Sequence, residues 1–204
     1  MKKILLLLLL MILGVVGYVW YKFSHAGNGN DGPKTPPLVL KKHSEEFNNK
    51  VAATLNAYFE MKAAFVEADS TKAKEACKKM IAKADSINLV ELKKDTSGIF
   101  LADSLSLENI KSNAKSLLLQ TNITEMRKDF SMINENLYPF LKAINYNGPK
   151  MYWQNCPMAF GEDKGANWVS NTEEIINPYL GKFHPEYKAS MLHCGQVLDT
   201  IKIH

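Results

Sequence analysis

The chain has 204 residues, of which 23% are charged, and its net charge of +4 comes from lysines spread among acidic residues. No basic stripe with interleaved aromatics is present, which excludes nucleic acid as the leading partner. The three cysteines, Cys77, Cys156 and Cys194, do not define a disulfide framework by number alone.

Lys2 and Lys3 precede an apolar run from Ile4 to Tyr21. A helix of that length spans about 27 Å, close to a hydrocarbon core. The run predicts a membrane helix over residues 1–22, with Trp20 and Tyr21 at the far interface. The protein is then a single-pass inner-membrane protein whose domain lies in the periplasm. The alternative is a signal cleaved near Ser24-His25-Ala26, which releases the domain into the periplasm. Lys22 adds positive charge on the outer flank and weakens the orientation. Residues 23–42 are rich in Gly, Asn and Pro and read as a linker.

Residues 43–204 are then one domain. From Lys41 to Ala68, Phe47, Val51, Leu55, Tyr58 and Phe65 recur at helical spacing. Asp69-Ser70 ends this helix, and Ser70 is the expected N-cap of the next. That helix carries Ala73, Ala76, Met80, Ala84 and Ile87 on one face. Cys77 shares the face and is expected as a buried thiol between helices. Asp95–Gly98 reads as a turn. A third helix is expected from about Ser104 to Gln120. A fourth carries Ile123, Met126, Phe130, Ile133, Leu137, Phe140, Leu141 and Ile144, with Pro139 expected to kink or end it. Four amphipathic segments with short connections predict a mainly α fold, an antiparallel four-helix bundle over 43–145. Residues 146–204 lose helical period and predict an irregular, partly β cap, with strands near 150–155, 167–170 and 196–203. In the last, Val197, Asp199, Ile201 and Ile203 are expected on one face.

The cap holds two sulfur-rich clusters, "CPMAF" from Cys156 and "MLHCG" from Met191. Around them stand Tyr152, Cys156, Pro157, Met158 and Ala159; Gly165, Ala166, Trp168 and Ser170; Ile176, Asn177, Pro178, Tyr179 and Gly181; and Met191, Leu192, Cys194 and Gly195. In this order these residues resemble the DUF3347 family, a domain of unknown function found in exported Bacteroidetes proteins and at the end of periplasmic adaptor subunits of heavy-metal efflux pumps. The resemblance extends over roughly residues 45–204, its helical part being the less specific. Val169 stands where the family has Leu. The stretch Lys182–Ser190 is longer than the family's link and brings His184 toward the second cluster. The resemblance implies a setting of metal resistance, with copper foremost and an efflux pump or adaptor as partner.

The chemistry of the clusters gives the candidate site. Thiolate and thioether are soft donors that favour Cu(I) over Zn(II). On an extended segment Cys156 and Met158 project to the same side, and Met191 and His193 repeat that spacing. If the segments meet, Cys156, Met158, Met191, His193 and Cys194 can surround one ion. The spacing is not that of a zinc site, and methionine is a poor zinc ligand. The alternative is a Cys156–Cys194 disulfide that makes the cap a metal-free structural or interaction domain. A third reading, thiol–disulfide chemistry, requires a cysteine of low pKa. Other catalysis has thin support: His193 beside Cys194 does not establish a nucleophile and base, and the phosphate-loop, HExxH and C-x-x-C motifs are absent. The expected protein is therefore a non-enzymatic Cu(I)-binding protein. Trp153 and Trp168 are expected as packing residues, and His184 as exposed.

Overall fold

The computed structural model describes residues 11, 14–18, 43–94 and 99–201. The chain divides into two compact units, residues 1–39 and 40–204. The expected membrane segment and linker fall almost wholly outside the described residues, as does the expected turn at 95–98. Among the described residues no helix is long and apolar enough to cross a membrane.

The second unit is mainly helical, with a small antiparallel sheet at its C-terminal end. Helix α1 spans Glu45–Val66, α2 Ser70–Ala84, α3 Ile99–Leu119 and α4 Ile123–Ala143, with a 3-10 turn at Leu89–Lys94. Helix α1 packs on α2, α2 on α3, and α3 on α4. Rings close the contact between α1 and α4: Phe130 stacks on Tyr58 at 5.5 Å and lies 4.9 Å from Phe65. Phe47, Val51, Leu55, Tyr58 and Phe65 of α1 are all buried, as their spacing requires. A void of about 10 Å³ among Leu55, Tyr58, Met80 and Leu137 has room for one water and none for an organic ligand.

The helix ends differ from the sequence reading in instructive ways. Asp69, not Ser70, caps α2; its carboxylate accepts from Lys72 N at 2.9 Å, and Ser70 is already helical. Both residues are cap formers, and the carboxylate takes the place at the positive helix end. Helix α3 begins at Ile99, five residues before the expected Ser104. Its inward face there includes Asp103, a buried polar residue that hides the apolar period. Helix α4 runs through Pro139 to Ala143. Pro139 is exposed, while buried Phe140 and Leu141 hold the last turn.

Strands β1 (Met151–Cys156), β2 (Ala166–Ser170) and β3 (Gln196–Ile201) form a sheet in the order β2-β1-β3, antiparallel throughout. Trp153 of β1 pairs with Asp199 while Gln154 pairs with Val197, so Leu198 is an extra residue at a bulge. Val197 and Asp199 therefore oppose successive residues of β1 and do not share a face, contrary to simple alternation. The strand as described ends at Ile201, short of Ile203.

The sheet docks on the helices through the edge of β2. Val169 N donates to Tyr58 Oη at 3.1 Å and to Asn134 Oδ1 at 3.2 Å, and Val169 O lies 3.0 Å from the same hydroxyl. Tyr58 in turn reaches Asn134 Oδ1 at 2.5 Å. Asn167 O, two residues back on the same edge, accepts from Tyr179 Oη. Lys62 Nζ donates to Ser170 Oγ at 3.0 Å. Burial pushes the Lys62 ammonium down to about 8 and the Tyr58 phenol well above its ordinary value. Trp153 of β1 also stacks on Tyr138 of α4 at 4.3 Å.

Two outcomes follow from these buried groups. Tyr58→Phe removes the partner of Val169 O and one of the two acceptors of Val169 N, and is expected to cost about 1–3 kcal/mol. Urea unfolding followed by circular dichroism measures this as a lower midpoint with an unchanged slope. Asp103 is 1% exposed, its Oδ2 has no partner among the described residues, and burial pushes its carboxyl up to about 7. The folded chain therefore holds this proton more tightly than the unfolded chain. The resulting stability is complete below the ordinary carboxyl pKa and is lost as pH rises to about 7. Asp103→Asn is expected to raise Tm at pH 8, with a gain that shrinks toward pH 4 in scanning calorimetry.

Candidate thiol and metal site

Strand β1 delivers Cys156 as its last residue, fully buried. The backbone then turns: Pro157 and Met158 leave the strand, and Gly161 N donates to Met158 O at 3.2 Å. Met158 is half-buried and packs against the core. The extended segment on which Cys156 and Met158 were expected to share a side does not exist. The second cluster is likewise a turn, in which Cys194 N donates to Met191 O at 3.0 Å. Each methionine thus sits in the turn beside its cysteine, and Met191 also packs against the core.

The two clusters meet through their thiols. Cys156 Sγ and Cys194 Sγ are 3.0 Å apart, and both residues are free cysteines. This is about 1 Å longer than a disulfide bond. It is shorter than the about 3.8 Å between two thiolates at a tetrahedral angle on bonds of about 2.3 Å. A covalent bond and an ion are therefore each reached by a movement of about 1 Å, inward or outward. Among the described residues no group of three or more His, Cys, Asp or Glu side chains is placed to hold a metal. His193 is exposed, with Nδ1 2.8 Å from Ile175 O. His184 is half-buried rather than exposed, and its Nδ1 accepts from Glu186 N and Tyr187 N. Any ion would rest first on the two thiols, with the methionines as the remaining soft donors.

Burial, and after it the neighbouring Cys156 sulfur, pushes the Cys194 thiol up to about 11. Turnover catalysis of thiol exchange needs a low-pKa nucleophile, which the resting Cys194 thiol is not. Cys77 takes the role expected of it. It is buried between α2 and α3, donates to Ala114 O at 3.2 Å, and is pushed up to about 12 by burial.

Cys194 reaches Cys156 because the segment after β2 is fastened at several points. Gln154 Nε2 lies 3.0–3.2 Å from the carbonyls of Thr172, Glu173 and Glu174. Asn177 is fully buried: its Oδ1 accepts from Tyr179 N and Leu180 N, and its Nδ2 donates to Cys194 O at 2.9 Å. Its backbone N donates to Leu192 O at 2.8 Å, so one residue holds both sides of the cysteine turn. Tyr179 inserts between Phe130 and Trp168. Arg127, buried in α4, donates to Pro178 O at 3.0 Å and to Phe65 O at 2.9 Å, joining this segment to the C-terminal end of α1. There Lys182 N also donates to Val66 O. Gly195 makes the closest approach. At φ +145 its backbone lies so near β1 that a Cβ would stand 2.6 Å from Asn155 O.

Sequence reading identified both cysteines but gave no role to Asn177, Gln154 or Arg127. Asn177 belongs to the quoted motif run, and an Asn before a Pro is a turn signal. Nothing in the sequence marks Gln154 or Arg127 as a fastener. Gly195→Ala is expected to push the cysteine turn off β1. Under a mild oxidant, formation of the Cys156–Cys194 bond should slow by about tenfold or more, a rise in barrier of about 1.4 kcal/mol. Mass spectrometry of timed, acid-quenched samples measures it.

A sequence model of the family described as "Protein of unknown function (DUF3347)" matches residues 54–148, from within α1 to just before β1. The matched stretch ends before either sulfur cluster, so it is the helices that carry the match. No curated protein matches the chain, and no solved structure does.

Proposed function

The chain belongs to the DUF3347 family through residues 54–148, and from the sulfur pair beyond that stretch we propose a non-enzymatic, exported protein that binds Cu(I) or a similar soft ion. Cys156 and Cys194 are the primary ligands. Met158 and Met191 are the next donors, and His193 is an auxiliary one through its remaining ring nitrogen. The observation that carries this reading is the 3.0 Å approach of two thiols from segments 38 residues apart, each with a methionine in the adjoining turn. Two thiolates satisfy a low-coordinate Cu(I) ion, and thioethers add to them without adding charge. In this reading α1–α4 are an antiparallel four-helix bundle that serves as the scaffold. Residues 1–22 hold the domain at the inner membrane, or direct it to the periplasm and are removed. The resemblance noted above supports a role beside a heavy-metal efflux pump or its adaptor, to which the ion is passed.

A second reading rests on the same distance. In an oxidising compartment a thiol pair this close closes to a disulfide. That bond would staple a loop of 39 residues, counted from Cys156 to Cys194, and stabilise the cap by ~3–4 kcal/mol. The cap would then be a metal-free interaction surface.

Titration of the reduced full chain with Cu(I) against a competing chelator separates the two. The copper reading expects one ion per chain. Cys156→Ser and Cys194→Ser should each weaken binding by more than the about 10–100-fold that loss of an outer-shell partner costs. Met158→Leu and Met191→Leu should weaken it less. Binding releases thiol protons, so affinity should rise with pH by up to about tenfold per unit for each proton released. A reduced, folded chain that leaves all Cu(I) on the chelator would leave the disulfide reading standing.

A further inference from the structure

The two readings of the sulfur pair describe states that one site can interchange. Resting on the copper reading, we propose that Cu(I) and a Cys156–Cys194 disulfide are alternative occupants of the site, exchanged by a disulfide-bearing partner that reacts first at Cys194.

The geometry sets the order of events. Cys156 has no exposed surface and ends a central strand, with β2 on one side and β3 on the other. Cys194 is part-exposed and lies in the connection between a turn and Gly195. An incoming disulfide can therefore reach Cys194 and not Cys156. Once Cys194 carries the partner's sulfur, Cys156 stands 3.0 Å from the Cys194 position and can resolve the adduct. Asn177 and Gly195 hold the Cys194 backbone in place throughout, so the exchange needs side-chain movement only.

The step balances. The Cys194 thiolate attacks one sulfur of the partner's disulfide and releases the other as a thiolate. The Cys156 thiolate then attacks the Cys194 sulfur and releases the partner's second thiolate. Two electrons pass from the cysteine sulfurs to the partner's disulfide. Copper stays Cu(I) throughout and leaves as its two thiolate ligands become a neutral disulfide, their two negative charges passing to the two thiolates formed on the partner. Cys194 is a stoichiometric switch point here, not a turnover catalyst.

The test uses the full chain, reduced and loaded with Cu(I), with oxidised glutathione as the disulfide. The expected result is loss of the ion to a chelator in step with a chain mass lower by two hydrogens. Cys156→Ser, with Cys156→Ala beside it to control for packing, should accumulate one glutathione on Cys194. Cys194→Ser should react at least about tenfold more slowly, as a buried thiol does. Far-ultraviolet circular dichroism confirms that each variant is folded. A chain that forms the disulfide and keeps its copper overturns this proposal while the copper reading stands on other ligands. Equal rates for Cys194→Ser and Cys156→Ser overturn the assigned order. A reduced chain that takes up no Cu(I) overturns the copper reading, and this proposal with it.

Discussion

The arrangement of the domain depends on how the free edge of β2 is satisfied. A strand edge carries backbone donors and acceptors that cannot be buried without partners. Here the partners are side chains: Tyr58 from α1 and Asn134 from α4 at Val169, and Tyr179 from the following segment at Asn167. Hydroxyls and amides are directional, so this contact sets the sheet's position on the helices as apolar packing alone would not. The same Tyr179 lies in an aromatic series with Phe130 and Trp168. The position of β2 sets that of β1 by register, and hence that of Cys156. Tyr179 sets the segment that returns Cys194. Both sulfurs are thus located from one buried polar cluster.

The helices were legible because their apolar period is strong, and the residues it marked on α1 and α4 are buried in the core, with Ile123 half-buried at its margin. Boundaries and irregularities were legible only where a local rule had no competitor. Asp69 and Ser70 both suit an N-cap, and periodicity cannot choose between them. Asp103 interrupts the apolar face of α3 and concealed its first turn. Proline rules foretell a lost hydrogen bond at Pro139, but not that the helix would run on to Ala143. In the cap, alternation failed twice: a bulge displaces Leu198, and β1 ends at Cys156 before Met158 can share its face. Which side chains fasten the cap was not legible at all, because Gln154, Asn177 and Arg127 act on backbone carbonyls distant in sequence. Such partnerships leave no composition signal.

The meeting of the two cysteines is a matter of backbone placement before it is one of sulfur chemistry. Asn177 grips the cysteine turn from the side, Gly195 admits it against β1, and Arg127 ties its segment to the end of α1. Helix ends carry unpaired carbonyls, and Phe65 and Val66 use theirs to receive the guanidinium and the Lys182 amide. The last turn of α1, within the family-matched stretch, is in this way a mooring for a segment outside it. The raised pKa of Cys194 suits a thiol that rests protonated.

The burial of Cys77 bears on pairing fidelity. Three cysteines permit three disulfides, and in an oxidising compartment two of them would be errors. Cys77 hydrogen-bonds to a carbonyl of the adjacent helix and lies beneath the α2–α3 contact, so either wrong bond demands that those helices part. The folded helical layer thereby withholds Cys77 from either cap cysteine.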